Sequence, residues 1–402
     1  MTQAEEPEPI SRLRKYLQIK TVHPKPDYES CKNFLIQQAG EIGLEHQVVE
    51  CVEGKPIVII KLAGTDPTQK SILLSSHTDV VPVFEDQWKY DPFAAERVLE
   101  GDEIRIYARG VQDMKAQGMC YLEAFRILKR AGKRLTRNVY AIYAPDEEIG
   151  GADGVGALVE TKEFEALNAG FDLDEGGLGV GDTVIAFTAE RLLNAVRFTA
   201  HGNTGHGSQF IEGTAIEKLL PVMNWMLAFR EEEKVKLNTI EGDRFLCQGA
   251  VTATNLTILE GGKQQNVVPA TFSATFDMRV SPNRDIMVLR KTIRDFAEKH
   301  DVQCTFLSTD SVNPVTTWDS SDPFCASIEK VFEKRMIKWS KVICFAVSDA
   351  RHIRRKGIPA IGINPLTNHP LLPHDHNEYV REKDFLEAID VYVDLISGLA
   401  NA

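Results

Sequence analysis

SILLSSHTD, residues 71–79, is a short apolar run that stops at a histidine and, two residues on, an aspartate. An apolar run of this length bounded by polar residues reads as a buried strand. Similar runs flank it: IVIIKLAG (57–64), IRIYARG (104–110), NVYAIYA (138–144) and FDLDE (171–175), with helix-like segments in between. In one of these segments Tyr121, Ala124, Phe125 and Leu128 fall at i, i+3, i+4 and i+7, a single helical face. Strand and helix alternating in this way predict an α/β domain with a largely parallel sheet over residues 1–187. Sheets of that kind bind ligands beyond the carboxyl ends of their strands. His77, Glu148 in APDEEIGG and Glu175 in FDLDEG each stand at such an end.

Two more residues join these three. Asp113 lies in the Gly-flanked turn of ARGVQDMK, and His374 opens HDHNE. Two imidazoles and three carboxylates form an N/O donor set suited to one or two zinc ions with room for a water. No cysteine belongs to the set, which fits a catalytic rather than a closed structural site. Taken singly, each has an ordinary explanation. His77-x-Asp79 could cap a strand, Asp113 could favour a helix N-terminus, and DEE could be a solvated acidic turn. Their shared position along the chain favours a metallohydrolase. A carboxylate such as Asp79 can hold the second nitrogen of a metal-bound imidazole. Glu147 and Glu148 point different ways, so one can ligate while the other faces a metal-bound water, whose pKa falls to about 7.

From 188 to 308 the pattern changes. LNAVRFTAHG reads as a strand, and Ile216, Leu219, Leu220 and Met223 outline a helix face. Residues 271–280 alternate strictly, with Phe272, Ala274, Phe276, Met278 and Val280 on one side and Thr271, Ser273, Thr275, Asp277 and Arg279 on the other. The order β-α-β-β-α-β predicts a ferredoxin-like second domain inserted into the first. It supplies none of the five ligands. Residues 309–402 return to α/β character and complete the first domain. His206 in GNTGHGS, Asn266 and Arg279 from the insert, and Arg351 in SDAR, are candidates to bind the non-reacting part of a substrate, arginine being suited to a carboxylate.

Composition narrows the classes. The chain has 402 residues, 43% of them hydrophobic, and a net charge of −12, which argues against nucleic acid as a partner. It contains no run of about 18 apolar residues, so no membrane span is expected. The start, MTQAEEPEPISRLRKYL, lacks a secretory apolar region, and seven dispersed cysteines suit a reducing, cytoplasmic setting.

With these residues in view, the chain resembles the dinuclear-zinc exopeptidase and deacylase family, most of all its aminoacylase branch. SSHTDVVPV, YARGVQDMK, PDEEIGG, LDEG, GHGS, NVVPA, FDMRV, SDARHI and HDHNE occur in the family's order across nearly the whole chain. The resemblance implies two zinc ions per subunit, one on His77 and Glu175, the other on Glu148 and His374, bridged by Asp113 and a water. It makes Glu147 the general base and Asp79 the orienter of His77. The insert becomes a lid and homodimer interface, with His206 reaching the partner's site to polarise the scissile carbonyl. Asn266, Arg279 and Arg351 match positions that bind the substrate carboxylate or shape its pocket. The implied reaction is hydrolysis of a small N-acyl-L-amino acid to a carboxylate and a free L-amino acid. A dipeptidase or carboxypeptidase would share every ligand. A non-catalytic binding protein should have lost Glu147 or a ligand, and this chain keeps them all.

Overall fold

The computed structural model of the protein describes residues 5–308 and 313–402. The chain forms two compact units, one of Met1–Thr188, Thr316–Lys341 and Ser348–Ala402, the other of Ala189–Val315 and Val342–Val347. Residue 309, where the last part of the first domain is expected to begin, lies outside the described residues. The short stretch 342–347 groups with the second unit because Arg191 reaches it: its amide donates to the Cys344 carbonyl and its Nε to the Phe345 carbonyl, at 3.1 and 2.9 Å.

The first unit is built on an eight-stranded sheet. Its central strands run in the order Val139–Ala144, Ser71–His77, Ala169–Asp174, Ala360–Ile363, all parallel to their neighbours. Glu45–Glu50 and Pro56–Leu62 extend one edge, each antiparallel to its neighbour; Thr183–Glu190, antiparallel to Ala360–Ile363, and then Lys338–Cys344 extend the other. Every residue of Ser71–His77 is buried, as expected of a parallel strand covered on both faces. The helix Ala116–Arg130 covers one face, and Tyr121, Ala124, Phe125 and Leu128 all point inward. Tyr121 meets Tyr392 of the helix Glu382–Ala400 edge to face, with ring centroids 5.1 Å apart.

IRIYARG does contain a strand, Glu103–Tyr107, but it pairs with Glu96–Glu100 and Tyr379–Arg381 in a separate three-stranded sheet. That small sheet matters for the site, because it ties the segment after His374 to the segment before Asp113.

The second unit has the ferredoxin-like order, with strands Ala253–Gly261, Thr271–Val280, Val196–His201 and Val302–Phe306 side by side. Two helices cover it, Ala215–Thr239, opened by a Thr214–Glu217 capping box, and Ile286–Lys299, capped by Asp285. Ala274, Phe276, Met278 and Val280 are buried as the alternation predicts. On the first helix the buried stripe is Leu219, Val222, Met223, Met226 and Phe229, whereas Ile216 and Leu220 are exposed.

Candidate active site

The site is assembled where three adjacent parallel strands end. His77 is the last residue of the middle strand. Glu147 and Glu148 form the 3-10 turn after Val139–Ala144 on one side, and Glu175 follows Ala169–Asp174 on the other. Asp113 comes from the turn Val111–Lys115, entered through Gly110 at φ +80°, a backbone conformation that favours glycine. His374 approaches on the loop before Tyr379–Arg381, itself at φ +64°.

Asp113 stands between the two histidines. Its Oδ1 lies 2.9 Å from His77 Nε2 and its Oδ2 3.3 Å from His374 Nε2. Glu175 Oε2 is 4.0 Å from His77 Nε2, and Glu148 Oε2 is 2.9 Å from His374 Nε2. The structure thus brings all five expected ligands together as two half-sites sharing one carboxylate. Donor atoms of His77, Asp113 and Glu148 fall within 4.8 Å of one another, and so do those of His77, Glu147 and Glu175. Glu147 thus stands beside His77 and Glu175, and Glu148 beside His77, Asp113 and His374.

His77 Nδ1 lies 3.0 Å from the Asp79 carbonyl and 3.6 Å from Asp79 Oδ1. The contact with that carbonyl sets the direction of the ring and turns Nε2 toward Asp113. The Asp79 carboxylate has other partners. It accepts the amides of Glu147 and Glu148 at 3.2 and 3.1 Å, and His23 Nε2 at 2.8 Å. It therefore ties the strand carrying His77 to the turn carrying the acid pair. Asp146, at φ +66°, is fixed by Tyr28 and Lys55.

The electrostatics are those of a cation site. Burial pushes the Glu147 carboxyl well above the usual carboxylate range; His77 opposes this, and Asp349, Glu148 and Asp113 add to it. Burial likewise raises Glu175 and Glu148, with Asp113 adding to both. Burial pulls the His77 imidazole down, but Asp113 and Asp79 outweigh it and hold it well above its ordinary value. Asp113 and Glu148 push His374 up to about 10. Glu175 Oε2 is buried with no hydrogen-bond partner, a cost that a cation would remove. Two imidazoles, four converging carboxylates and this orphaned oxygen fit a pair of divalent cations.

The residues expected on the substrate side are placed as follows. Arg351 is buried, its Nη2 2.6 Å from the Gly150 carbonyl and its Nη1 3.2 Å from that of Ser348, so it braces the end of the Glu147–Glu148 turn. In the second unit, His206 is exposed on the short strand Gly205–His206, with Nδ1 2.8 Å from Ser208 Oγ. Asn266 adjoins it, accepting the Gly207 amide through its carbonyl at 2.8 Å while its Oδ1 is buried without a partner. Arg279 pairs with Asp277 through Nε. His23 and the fully buried Glu378 escape the sequence reading. A lone histidine in TVHP carries no pattern, whereas Glu378 closes HDHNE and was within reach of it.

A hydrolase that works through bound metal is the class to which this fold and site belong. The chain is a member of peptidase family M20/M25/M40, whose model matches residues 73–398. Within that family it belongs with the aminoacylases. It is 44% identical over 394 residues to "Aminoacylase-1" of Sus scrofa, covering 98% of this chain and 95% of that one. Among solved structures, an M20 family metallo-carboxypeptidase from Sulfolobus solfataricus shares the fold at a TM-score of 0.75 and 18% identity, over 98% of this chain and 100% of that one. A dinuclear metal binding peptidase of the M20 family from Bacillus subtilis matches at a TM-score of 0.65 and 16% identity, over 96% of each chain.

Proposed function

We propose that the protein hydrolyses N-acyl-L-amino acids to a carboxylate and a free L-amino acid, using two zinc ions held by His77, Glu175, Glu148 and His374 and shared through Asp113. The main support is the Asp113 carboxylate, which turns one oxygen to each histidine. When bound, the metal supplies an acidified water and a Lewis acid for the acyl carbonyl. Glu147, held through its amide by Asp79, takes the proton from the attacking water and passes it to the departing amine.

Asp79 sets the separation of the His77 strand from the base turn, and Arg351 supports the same turn from the other end. His206 is the donor for the developing oxyanion in the partner subunit's site, and Arg279, Asn266 and Arg351 bind the substrate carboxylate or shape its pocket. The second unit acts as lid and homodimer interface. The exposed row Ile216, Leu220 and Leu227 on its long helix, and Ile258 and Leu259 on its edge strand, support that role. The cytoplasm is the proposed location, in keeping with seven cysteines that are all free. Among the described residues no helix is long and apolar enough to cross a membrane.

The test is amine release from N-acetyl-L-methionine beside a matched dipeptide, with zinc-loaded protein. Cleavage of the acetylated substrate is expected. Cleavage of the dipeptide alone would move the protein to a peptidase activity.

A further inference from the structure

The loop that carries Asp113 is held by a residue outside the ligand set. The amides of Gly110, Gln112 and Asp113 all point at the carboxylate of Glu378, the first at 3.0 Å, the second at 2.5 Å and the third at 3.3 Å. Arg109 adds a fourth donor, its Nη1 2.8 Å from Glu378 Oε2, and its guanidinium lies 5.2 Å from the centre of the Trp88 ring. Glu378 has no exposed surface. A buried carboxylate accepting three amides and a guanidinium fixes the directions of all four donors, because hydrogen bonds weaken steeply when bent. Three amides aimed at one point fix the backbone of the loop, and with it the direction in which the Asp113 side chain leaves.

The same carboxylate belongs to the segment that carries His374, four residues upstream. Gln112 joins the two segments a second time: its Nε2 donates to the Tyr379 carbonyl at 2.8 Å and to that of Pro370 at 3.3 Å, and its Oε1 accepts the Leu372 amide at 3.0 Å. The Ala108 amide donates to the Glu378 carbonyl at 3.1 Å. His374 is otherwise lightly supported, with its side chain 56% exposed. The bridging ligand and the most exposed ligand therefore ride on two loops stitched together at Glu378 and Gln112.

We propose that Glu378 is the positioning residue of the metal pair: it holds Asp113 in the bridging pose and keeps His374 in register with it. The proposal rests on the two-metal reading above. A purely architectural Glu378, serving only as a buried partner for Arg109, would act on folding and leave metal binding alone. Partners of ligands typically change metal affinity by about 10–100-fold when altered.

The experiment uses the full chain. Glu378→Gln keeps the shape of the side chain, but its amide has one acceptor oxygen and turns N–H groups toward donors. Gln112→Ala removes the second stitch without touching a buried charge. Zinc affinity is measured by competition with a chromogenic chelator, the absorption spectrum of the cobalt-substituted protein reports ligand geometry, and thermal melting in chelator reports the metal-free fold. Glu378→Gln is expected to bind zinc 10–100-fold more weakly with an altered cobalt spectrum, and Gln112→Ala to shift both in the same direction by less. If Glu378→Gln does not fold, the decision falls to Gln112→Ala. Zinc affinity and cobalt spectrum unchanged in a folded variant would overturn the proposal, even if melting dropped. A wild-type protein that takes up no zinc would instead sink the metal reading, and one that binds two zinc ions but leaves N-acetyl-L-methionine intact would sink only the substrate.

Discussion

Replacing Glu147 by Gln should lower activity and raise the stability of the metal-free protein at the same time. Gln fills the same volume, and the backbone amide of residue 147 keeps its bond to Asp79. What disappears is an acid that is only 8% exposed and stands among Glu148, Asp113 and Asp349. Loss of a positioned general base costs about 10²–10⁴ in rate, or roughly 3–5 kcal/mol of transition-state stabilisation at about 1.4 kcal/mol per factor of ten.

The stability effect has the opposite sign. A carboxyl raised above its ordinary 4.5 in the folded state binds its proton more tightly there than in the unfolded chain. It therefore weakens folding as pH rises above 4.5, and below that pH it has no effect. Removing it should therefore stabilise the metal-free protein as pH rises past 4.5, by up to about 1.4 kcal/mol per pH unit. At about 2–4 °C per kcal/mol the melting temperature in chelator should rise by several degrees. The assay pairs kcat for N-acetyl-L-methionine with melting in chelator at pH 4 and pH 7.5. A rate within threefold of wild type, or a metal-free variant that melts below wild type at pH 7.5, would refute the reasoning.

Two further outcomes test the second unit. Phe198 is fully buried and meets Phe276 edge to face with centroids 6.0 Å apart, so Phe198→Ala should cost about 3–5 kcal/mol in denaturant unfolding. Zinc stoichiometry should stay at the wild-type value, since that unit carries none of the five proposed ligands. Leu220→Glu places a charge on a side chain already 48% exposed. It should leave melting nearly unchanged and halve the mass seen by light scattering; a dimer that persists would remove this helix from the interface.

What could be read from the sequence divides along physical lines. The strand ends, and the histidine and acids that gather there, were legible because both signals are local: a short apolar run states the strand, and the polar residue at its end states a candidate donor. The ferredoxin-like order was legible for the same reason, from strict alternation at 271–280. Periodicity misplaced Ile216 and Leu220, because a helix apolar on more than one side does not say which stripe faces the sheet. Pairing partners were not legible either. Glu103–Tyr107 reads as a strand like its neighbours, but only the fold shows that it joins Tyr379–Arg381, some 270 residues away, rather than the large sheet. Contacts such as His23 with the Asp79 carboxylate and Glu378 with the Asp113 loop are of the same kind, a single side chain meeting a distant partner with no repeat to announce it.

The charge at the centre makes folding and metal loading one equilibrium. Without metal, the folded protein holds extra protons on Glu147, Glu148 and Glu175 and on His77 and His374. The raised carboxyls lose stability as pH climbs from 4.5 toward their folded values. The raised histidines are fully stabilising below 6.5 and lose that stability as pH climbs to about 10 for His374. Both trends have the same sign, so metal-free stability should fall with rising pH, at about 1.4 kcal/mol per pH unit for each extra proton held. Metal displaces these protons, since it binds only deprotonated carboxylates and neutral imidazoles, and its affinity therefore rises with pH. The gap in melting temperature between zinc-loaded and chelated protein should widen from pH 6 to pH 8. A gap that stays constant or narrows over that range would mean that the acids and histidines are not the groups that the metal replaces.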